Sequence, residues 1–121
     1  GPAHHLRLVP DRETLAADGE DVGVIAALVC DEGGRVVPVA DHRITFTVSD
    51  NARILGVGNG DPSDHDPDQA DCRRAFHGLC QVLVQTRREA VGTITVTATA
   101  PGLLPTTLAL TAVAAPVRPY V

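Results

Sequence analysis

The chain has 121 residues, 44% of them hydrophobic, but its only aromatic residues are Phe46, Phe76 and Tyr120, and Trp and Met are absent. This length fits one domain that buries about two-thirds of its unfolded surface. Ten arginines and fifteen acidic residues give a formal net charge of −5. That balance argues against nucleic-acid or anionic-membrane partners, because those interfaces need clustered positive charge. Three rings also leave little material for the stacking platforms that bind sugars or single-stranded bases.

The two ends of the chain differ from the part between them. Gly1 and Pro2 are typical of what a protease leaves after removing an affinity tag, so residues 1–3 are interpreted as such a remnant. Residues 4–115 are predicted to form the domain, and residues 116–121 a C-terminal tail or linker. No stretch approaches the roughly eighteen continuous apolar residues of a membrane helix.

The hydrophobic pattern between these ends has the period of two that is typical of strands. Apolar residues alternate with threonines in residues 44–48 and 93–99, which predicts half-buried strands with one threonine-coated face. Residues 22–30 are apolar at nearly every position, which predicts a strand in the centre of a sheet. In chain order, the predicted strands cover about residues 6–9, 22–30, 44–48, 53–57, 78–85, 93–99 and 106–112.

Turn residues separate these segments at spacings near ten residues. Gly, Asn, Asp and Pro cluster at residues 18–19, 31–34, 49–51 and 101–102, among others. About seven short antiparallel strands with such turns predict an all-β fold, an immunoglobulin-like β-sandwich. Residues 11–17 are the one stretch that competes as a helix, and a solvent-facing connector of that composition needs no helix.

One long acidic loop, residues 58–74, breaks the strand pattern. Loops of this length in compact domains are uncommon and are usually functional, interfacial or disordered. Asp64, Asp66 and Asp68 alternate within it and are candidate ligands for Ca²⁺, which prefers carboxylate and carbonyl oxygens on flexible loops. The alternative is a solvated loop whose Asp and Asn side chains cap their own turns, and this alternative is favoured. No other cofactor is expected, and zinc is disfavoured because no second closely spaced ligand pair accompanies His65 and Cys72.

The chain has three cysteines, so one thiol stays unpaired whichever two form a disulfide. Cys30 and Cys80 fall on two predicted core strands, as the bridging cysteines of immunoglobulin domains do. The favoured alternative is that they are two small buried thiols, because strand position alone does not bring their Cα atoms within the ~7 Å that a disulfide requires. Cys72, in the loop, is expected to be a free thiol.

Several stretches are similar to the C-terminal immunoglobulin-like domain of family 2 glycoside hydrolases of the β-galactosidase type. The most specific are residues 56–62, Gly-Val-Gly-Asn-Gly-Asp-Pro, and residues 75–79, Ala-Phe-His-Gly-Leu. Residues 15–21, 29–41, 44–49 and 92–98 resemble the same domain, so that the likeness covers about residues 6–114. The loop departs from the family pattern at Asp64, Asp66, Asp68 and Cys72, and it is more acidic than that pattern.

The resemblance implies a bacterial accessory domain at the end of a large exo-glycosidase, in the periplasm or outside the cell. It implies no catalysis by this chain, because the catalytic glutamates of such enzymes lie on a (β/α)₈ barrel. The implied partner is the catalytic core of the parent enzyme. The domain either packs on this core or acts as a spacer beside it.

Two alternatives stay open at this point. In the first, the domain is a carbohydrate-binding module that uses Asn59, Asp61, His65 and Asp66 to hydrogen-bond a sugar, with weak affinity in the absence of an exposed ring. In the second, it is a cell-surface spacer, since a fold alone does not determine function.

Overall fold

The computed structural model describes residues 1–59 and 71–115. Within these ranges the chain forms β-strands and turns, and no helix. The strands are β1 (Ala3–Pro10), β2 (Thr14–Ala16), β3 (Val22–Asp31), β4 (Arg43–Val48), β5 (Ala52–Gly58), β6 (Cys72–Arg74), β7 (Leu79–Thr86), β8 (Gly92–Thr99) and β9 (Thr106–Val113). No helix in the described part of the chain has the length and apolar character that crossing a bilayer requires.

The strands form two sheets that pack face to face. One sheet has four strands in the order β1-β3-β7-β5, and the other has five in the order β2-β9-β8-β4-β6. Neighbouring strands pair antiparallel except β2 and β9, which pair parallel. The predicted fold class, an immunoglobulin-like β-sandwich, is confirmed.

The seven predicted strands are all present, and the described residues contain two further ones. These are β2 and β6, each three residues long. Both were missed because so short a segment carries no readable alternation, and each is held by pairing with a strand distant in sequence. Strand β1 also begins earlier than predicted, at Ala3, which was assigned to the tag remnant.

The core lies between the sheets and consists mainly of small aliphatic side chains. Ile25, Val29, Ile44, Val82 and Ile94 are completely buried there. Of the rings, Phe46 is also completely buried, whereas Phe76 is only partly buried and lies beside His77, with ring centroids 4.0 Å apart. Among the described residues, Phe46 is the one completely buried ring, so methyl and methylene packing supplies most of the burial energy of the core.

Strand β3 lies between β1 and β7, as its continuous apolar sequence predicted. Its residues alternate between buried side chains that face the core and half-buried side chains on the opposite face. The half-buried set is also apolar and consists of Val22, Val24, Ala26 and Leu28. Half of this strand's apolar surface therefore faces away from the core.

Carboxylates organise the turns at the end of the sandwich where β3 begins. The Asp21 carboxylate accepts hydrogen bonds from Arg12 Nη2 at 2.7 Å and from the Ala16 amide at 2.8 Å. The Asp21 carbonyl accepts the Thr86 amide at 3.0 Å. The hydrogen bond from Arg12 is the main reason why the pKa of Asp21 lies below its ordinary value. These hydrogen bonds join Asp21, directly before β3, to the segment between β1 and β2, to β2 and to the end of β7.

A close backbone approach locks the opposite end of the sandwich. Gly78 has φ +78°, and a Cβ at this position would lie 2.8 Å from Val36 Cγ1 and closer still to the Val37 carbonyl oxygen. The Gly78 amide donates to the Ala40 carbonyl at 3.1 Å, and its carbonyl accepts the Val29 amide at 2.9 Å. Glycine is required here both for its left-handed conformation and for the space.

We predict that Gly78→Ala destabilises the domain more than Gly34→Ala does. Gly34 also has a left-handed φ of +85°, but its absent Cβ faces open space. Gly34→Ala is expected to lower the free energy of unfolding by about 1–2 kcal/mol through backbone strain alone. Gly78→Ala should lower the free energy of unfolding by about 1–3 kcal/mol more, because its methyl group overpacks against Val36 and Val37. Urea denaturation of both variants measures the difference, and equal losses would contradict the close approach.

We predict a pH-dependent loss of stability for Asp21→Ala. Because the folded-state pKa of Asp21 is lowered, its contribution is fully present above the unfolded-state pKa near 4 and is lost as the pH falls through the folded value. The variant is therefore expected to be less stable than the wild type by about 1–2 kcal/mol at pH 7, and the gap should close at acid pH.

Asp50→Ala is the matched control for Asp21→Ala, because Asp50 is exposed in the β4–β5 turn. It removes the same formal charge and should leave stability within about 0.5 kcal/mol of the wild type at pH 7. Chemical denaturation from pH 7 down to pH 3 measures both variants. A gap for Asp21→Ala that does not narrow with acid would contradict the role of its carboxylate.

Candidate functional site

The long acidic loop was predicted to hold the site, and the structure describes only its two ends. Of the predicted contact residues, Asn59 lies in the described part of the chain. The others, Asp61, Asp64, His65, Asp66 and Asp68, lie outside the described residues. Within residues 1–59 and 71–115, no three His, Cys, Asp or Glu side chains are grouped so that they could hold a metal ion. The Ca²⁺ hypothesis therefore stays a prediction.

The two ends of the loop are tied to each other and to the framework. Asn59, directly after β5, donates from Nδ2 to the carbonyl of Arg74 in β6 at 2.7 Å. At the other end, the Asp71 carbonyl accepts the amide of Phe46 in β4 at 2.8 Å. Because β5 and β6 belong to different sheets, the Asn59–Arg74 hydrogen bond joins the two sheets at their edge.

The side chain of Asn59 is itself nearly buried, with 9% of the residue exposed. Its Nδ2 group already donates to a backbone carbonyl, and a buried carbonyl left without a donor costs free energy. The described geometry therefore gives Asn59 a structural role at the base of the loop.

Arg73 lies inside the sandwich, with only 2% of the residue exposed. It pairs with Ile44 in β4, and its Nη2 donates to the Val57 carbonyl in β5 at 3.4 Å. Its guanidinium places a positive charge between the sheets at this edge. Like Asn59, Arg73 connects the two sheets beside the ends of the loop.

The sequence did not predict the buried position of Arg73. Arginine is rarely fully buried in proteins, so a surface position is the ordinary expectation for it. In the structure Arg73 and Ala75 face inward while Arg74 between them is exposed, an alternation too short to be read from the sequence.

The cysteines are three free thiols. Cys30 in β3 and Cys80 in β7 are completely buried and belong to the same four-stranded sheet, where Cys80 pairs with Ala27. The bridge of immunoglobulin domains joins opposite sheets, so this pair does not reproduce it. Burial raises the pKa of Cys80 to about 12, although the charge of Arg73 opposes this. Cys72 is partly exposed, and its Sγ lies 3.2 Å from Arg43 Nη1.

The framework of this chain has recognisable relatives. The family described as "Glycoside hydrolase family 2 C-terminal domain 5" matches residues 6–109. The chain belongs to this family. The resemblance predicted from the motifs is thereby confirmed.

Curated and solved relatives of this C-terminal domain support the same assignment. Over 112 residues the chain is 38% identical to "Beta-galactosidase BoGH2A" of Bacteroides ovatus, covering 93% of this chain and 13% of that protein. A β-glycosidase from Bacteroides vulgatus is 32% identical with a TM-score of 0.87, covering 92% of this chain and 14% of that one. A β-glucuronidase of glycoside hydrolase family 2 is 28% identical with a TM-score of 0.87, covering 98% of this chain and 12% of that one.

We predict that the thiols differ sharply in reactivity. At pH 8 an aromatic disulfide reagent should modify about one thiol per folded chain, Cys72, because reaction needs an accessible thiolate. In denaturant without reductant, all three cysteines should react. Absorbance of the released thiolate counts them, and Cys72→Ser should abolish the native-state signal. A count below three after unfolding would contradict the free-thiol state.

Proposed function

We propose that this domain is the accessory C-terminal part of a β-galactosidase-type enzyme, in which it packs on or spaces the catalytic core. The observation that carries the proposal is the 38% identity over 112 residues to a β-galactosidase of which this chain covers only 13%. On this proposal, the catalytic residues belong to the remaining part of the parent enzyme.

The electrostatics of the described residues support a non-catalytic role. Glycosidase chemistry needs one carboxylic acid whose pKa is raised, usually by removal from water. The four glutamates of the chain, Glu13, Glu20, Glu32 and Glu89, are all exposed in turns. The described carboxyl groups with a shifted pKa, which are Asp18, Asp21 and Asp31, all shift downward because hydrogen-bond donors stabilise the carboxylate. Their pKa values are therefore shifted in the direction opposite to the one that a general acid requires.

The proposed location is the periplasm or the exterior of a bacterial cell, as the resemblance implies. The bacterial source is supported by two of the relatives reported above, which are glycosidases of Bacteroides species. Fractionation of cells that express the full-length protein tests this part of the proposal.

The proposal predicts the activity of the full-length protein. It should hydrolyse a chromogenic β-galactoside faster than the matching β-glucuronide, while the 121-residue chain alone should hydrolyse neither. Removal of residues 4–115 from the full-length enzyme should lower its melting temperature by several degrees, because a packed domain stabilises the partner that it binds.

Two outcomes would contradict the proposal. One is a full-length protein with no glycosidase activity, and the other is hydrolysis by the 121-residue chain alone. Titration of the isolated chain with galactosides addresses the sugar-binding alternative, which predicts saturable binding that Asp61→Ala abolishes.

A further inference from the structure

The outer face of the four-stranded sheet is apolar along its centre. On β3, Val24 and Leu28 alternate with the buried core residues and therefore point away from the core. Val24 pairs directly with Leu83 of β7, and Val9 of β1 pairs with Ala26. Val9 is 44% exposed. Paired residues on neighbouring strands share a face, so these aliphatic side chains lie on one surface, centred on β3, where Arg7 pairs with Leu28 and Gln81 pairs with Ala26.

This surface continues to the end of the sandwich where the chain enters the fold. Leu104 pairs with His5, His5 pairs with Cys30, and Cys30 pairs with Val36, which places Leu104 and Val36 in one row on the same outer face. Leu104 is 57% exposed and Val36 is 38% exposed. We call the surface formed by Val9, Val24, Leu28, Val36, Leu83 and Leu104 the apolar face.

The outer face of the five-stranded sheet has a different composition. Threonines occupy most of its outward positions along three neighbouring strands, in paired rows such as Thr47 with Thr97 and Thr93 with Thr111, with Ala109 and Val113 of β9 among them. Their hydroxyl groups can hydrogen-bond to water, so this face is suited to solvent. The two outer faces of one small sandwich therefore differ in polarity, and the apolar face is the one that water solvates poorly.

We propose that the apolar face packs against the domain that precedes this one in the parent enzyme. This inference rests on the proposed function, and it names the surface that would make the contact. The family is a C-terminal domain, and the chain covers 13% of its β-galactosidase relative, so most of such a protein comes before this domain.

The path of the chain points to the same partner. Strand β1 is the first strand and is an edge strand of the sheet that carries the apolar face. Its first residue, Ala3, pairs with Asp31, at the same end of the sandwich as Leu104 and Val36. A preceding domain joined there lies next to the most exposed part of the apolar face.

The size of the sheet fits such a contact. The three strands that carry the apolar face, β1, β3 and β7, have about 4.8 Å spacing and about 25 Å of length, which gives a footprint on the order of 350 Å². Interfaces between domains of one chain bury about 600–1,500 Å² in total, or roughly half of that on each side. One face of this sheet is therefore large enough for an interdomain contact.

Cysteine accessibility tests the proposal. Single substitutions Val9→Cys, Leu104→Cys and Thr95→Cys are made in a Cys72→Ser background, both in the 121-residue chain and in the full-length enzyme. Thr95 is the matched control, because it is exposed on the threonine-coated face. The rate of maleimide labelling at each site is followed by mass spectrometry of the labelled peptide.

In the full-length enzyme, labelling at Val9→Cys and Leu104→Cys is expected to be slower than in the 121-residue chain by about tenfold or more, while Thr95→Cys stays within about twofold. Equal rates in the two proteins at all three sites would overturn the proposal, as would selective protection of Thr95→Cys. Labelling of the 121-residue chain that slows with its own concentration would also overturn it, by identifying a second copy as the occupant. An inactive full-length protein would instead remove the proposed function.

Discussion

The structure depends on strand β3, whose side chains are apolar on both faces. Successive side chains of a strand point to opposite faces of the sheet, and on β3 the side chains on both faces are apolar and poorly solvated by water. The inward set, including Ile25 and Val29, builds the core together with the facing sheet. The outward set cannot reach that core, so it needs either solvent exposure or a partner. The central position of β3, between β1 and β7, places this requirement in the middle of a sheet face.

The regular part of the fold could be predicted because its physical cause is local. The alternation in β4 and β8 and the continuous apolar sequence of β3 are readable in single segments, and all three are strands. Strands β2 and β6 could not be predicted because their cause is non-local. The parallel pairing of β2 with β9 joins segments almost a hundred residues apart, and no pattern within three residues reports it.

The candidate site was less predictable than the fold. The sequence directed attention to the loop because of its length and acidity, but those properties do not reveal how a loop is anchored. The anchors are Asn59 and Arg73, which contact backbone carbonyls of Arg74 and Val57 across the edge of the sandwich. Hydrogen bonds from side chains to distant backbone groups depend on the packed geometry of both sheets. A motif such as Gly-Asn-Gly-Asp-Pro therefore identifies the family, but the role of its asparagine becomes visible only in three dimensions.

The contrast between the two outer faces also separates the possible roles of the domain. A spacer that stands alone in solvent is expected to have polar residues on both faces, because an exposed aliphatic surface favours association. Only the face that carries Thr47, Thr93 and Thr97 meets that expectation. A sugar-binding face would be expected to present exposed aromatic rings, yet in the described residues Phe46 is completely buried and Phe76 is partly buried beside His77. Contact between an aliphatic sheet face and another domain uses the side chains that this sandwich exposes, which favours the accessory role over the spacer and the carbohydrate-binding module.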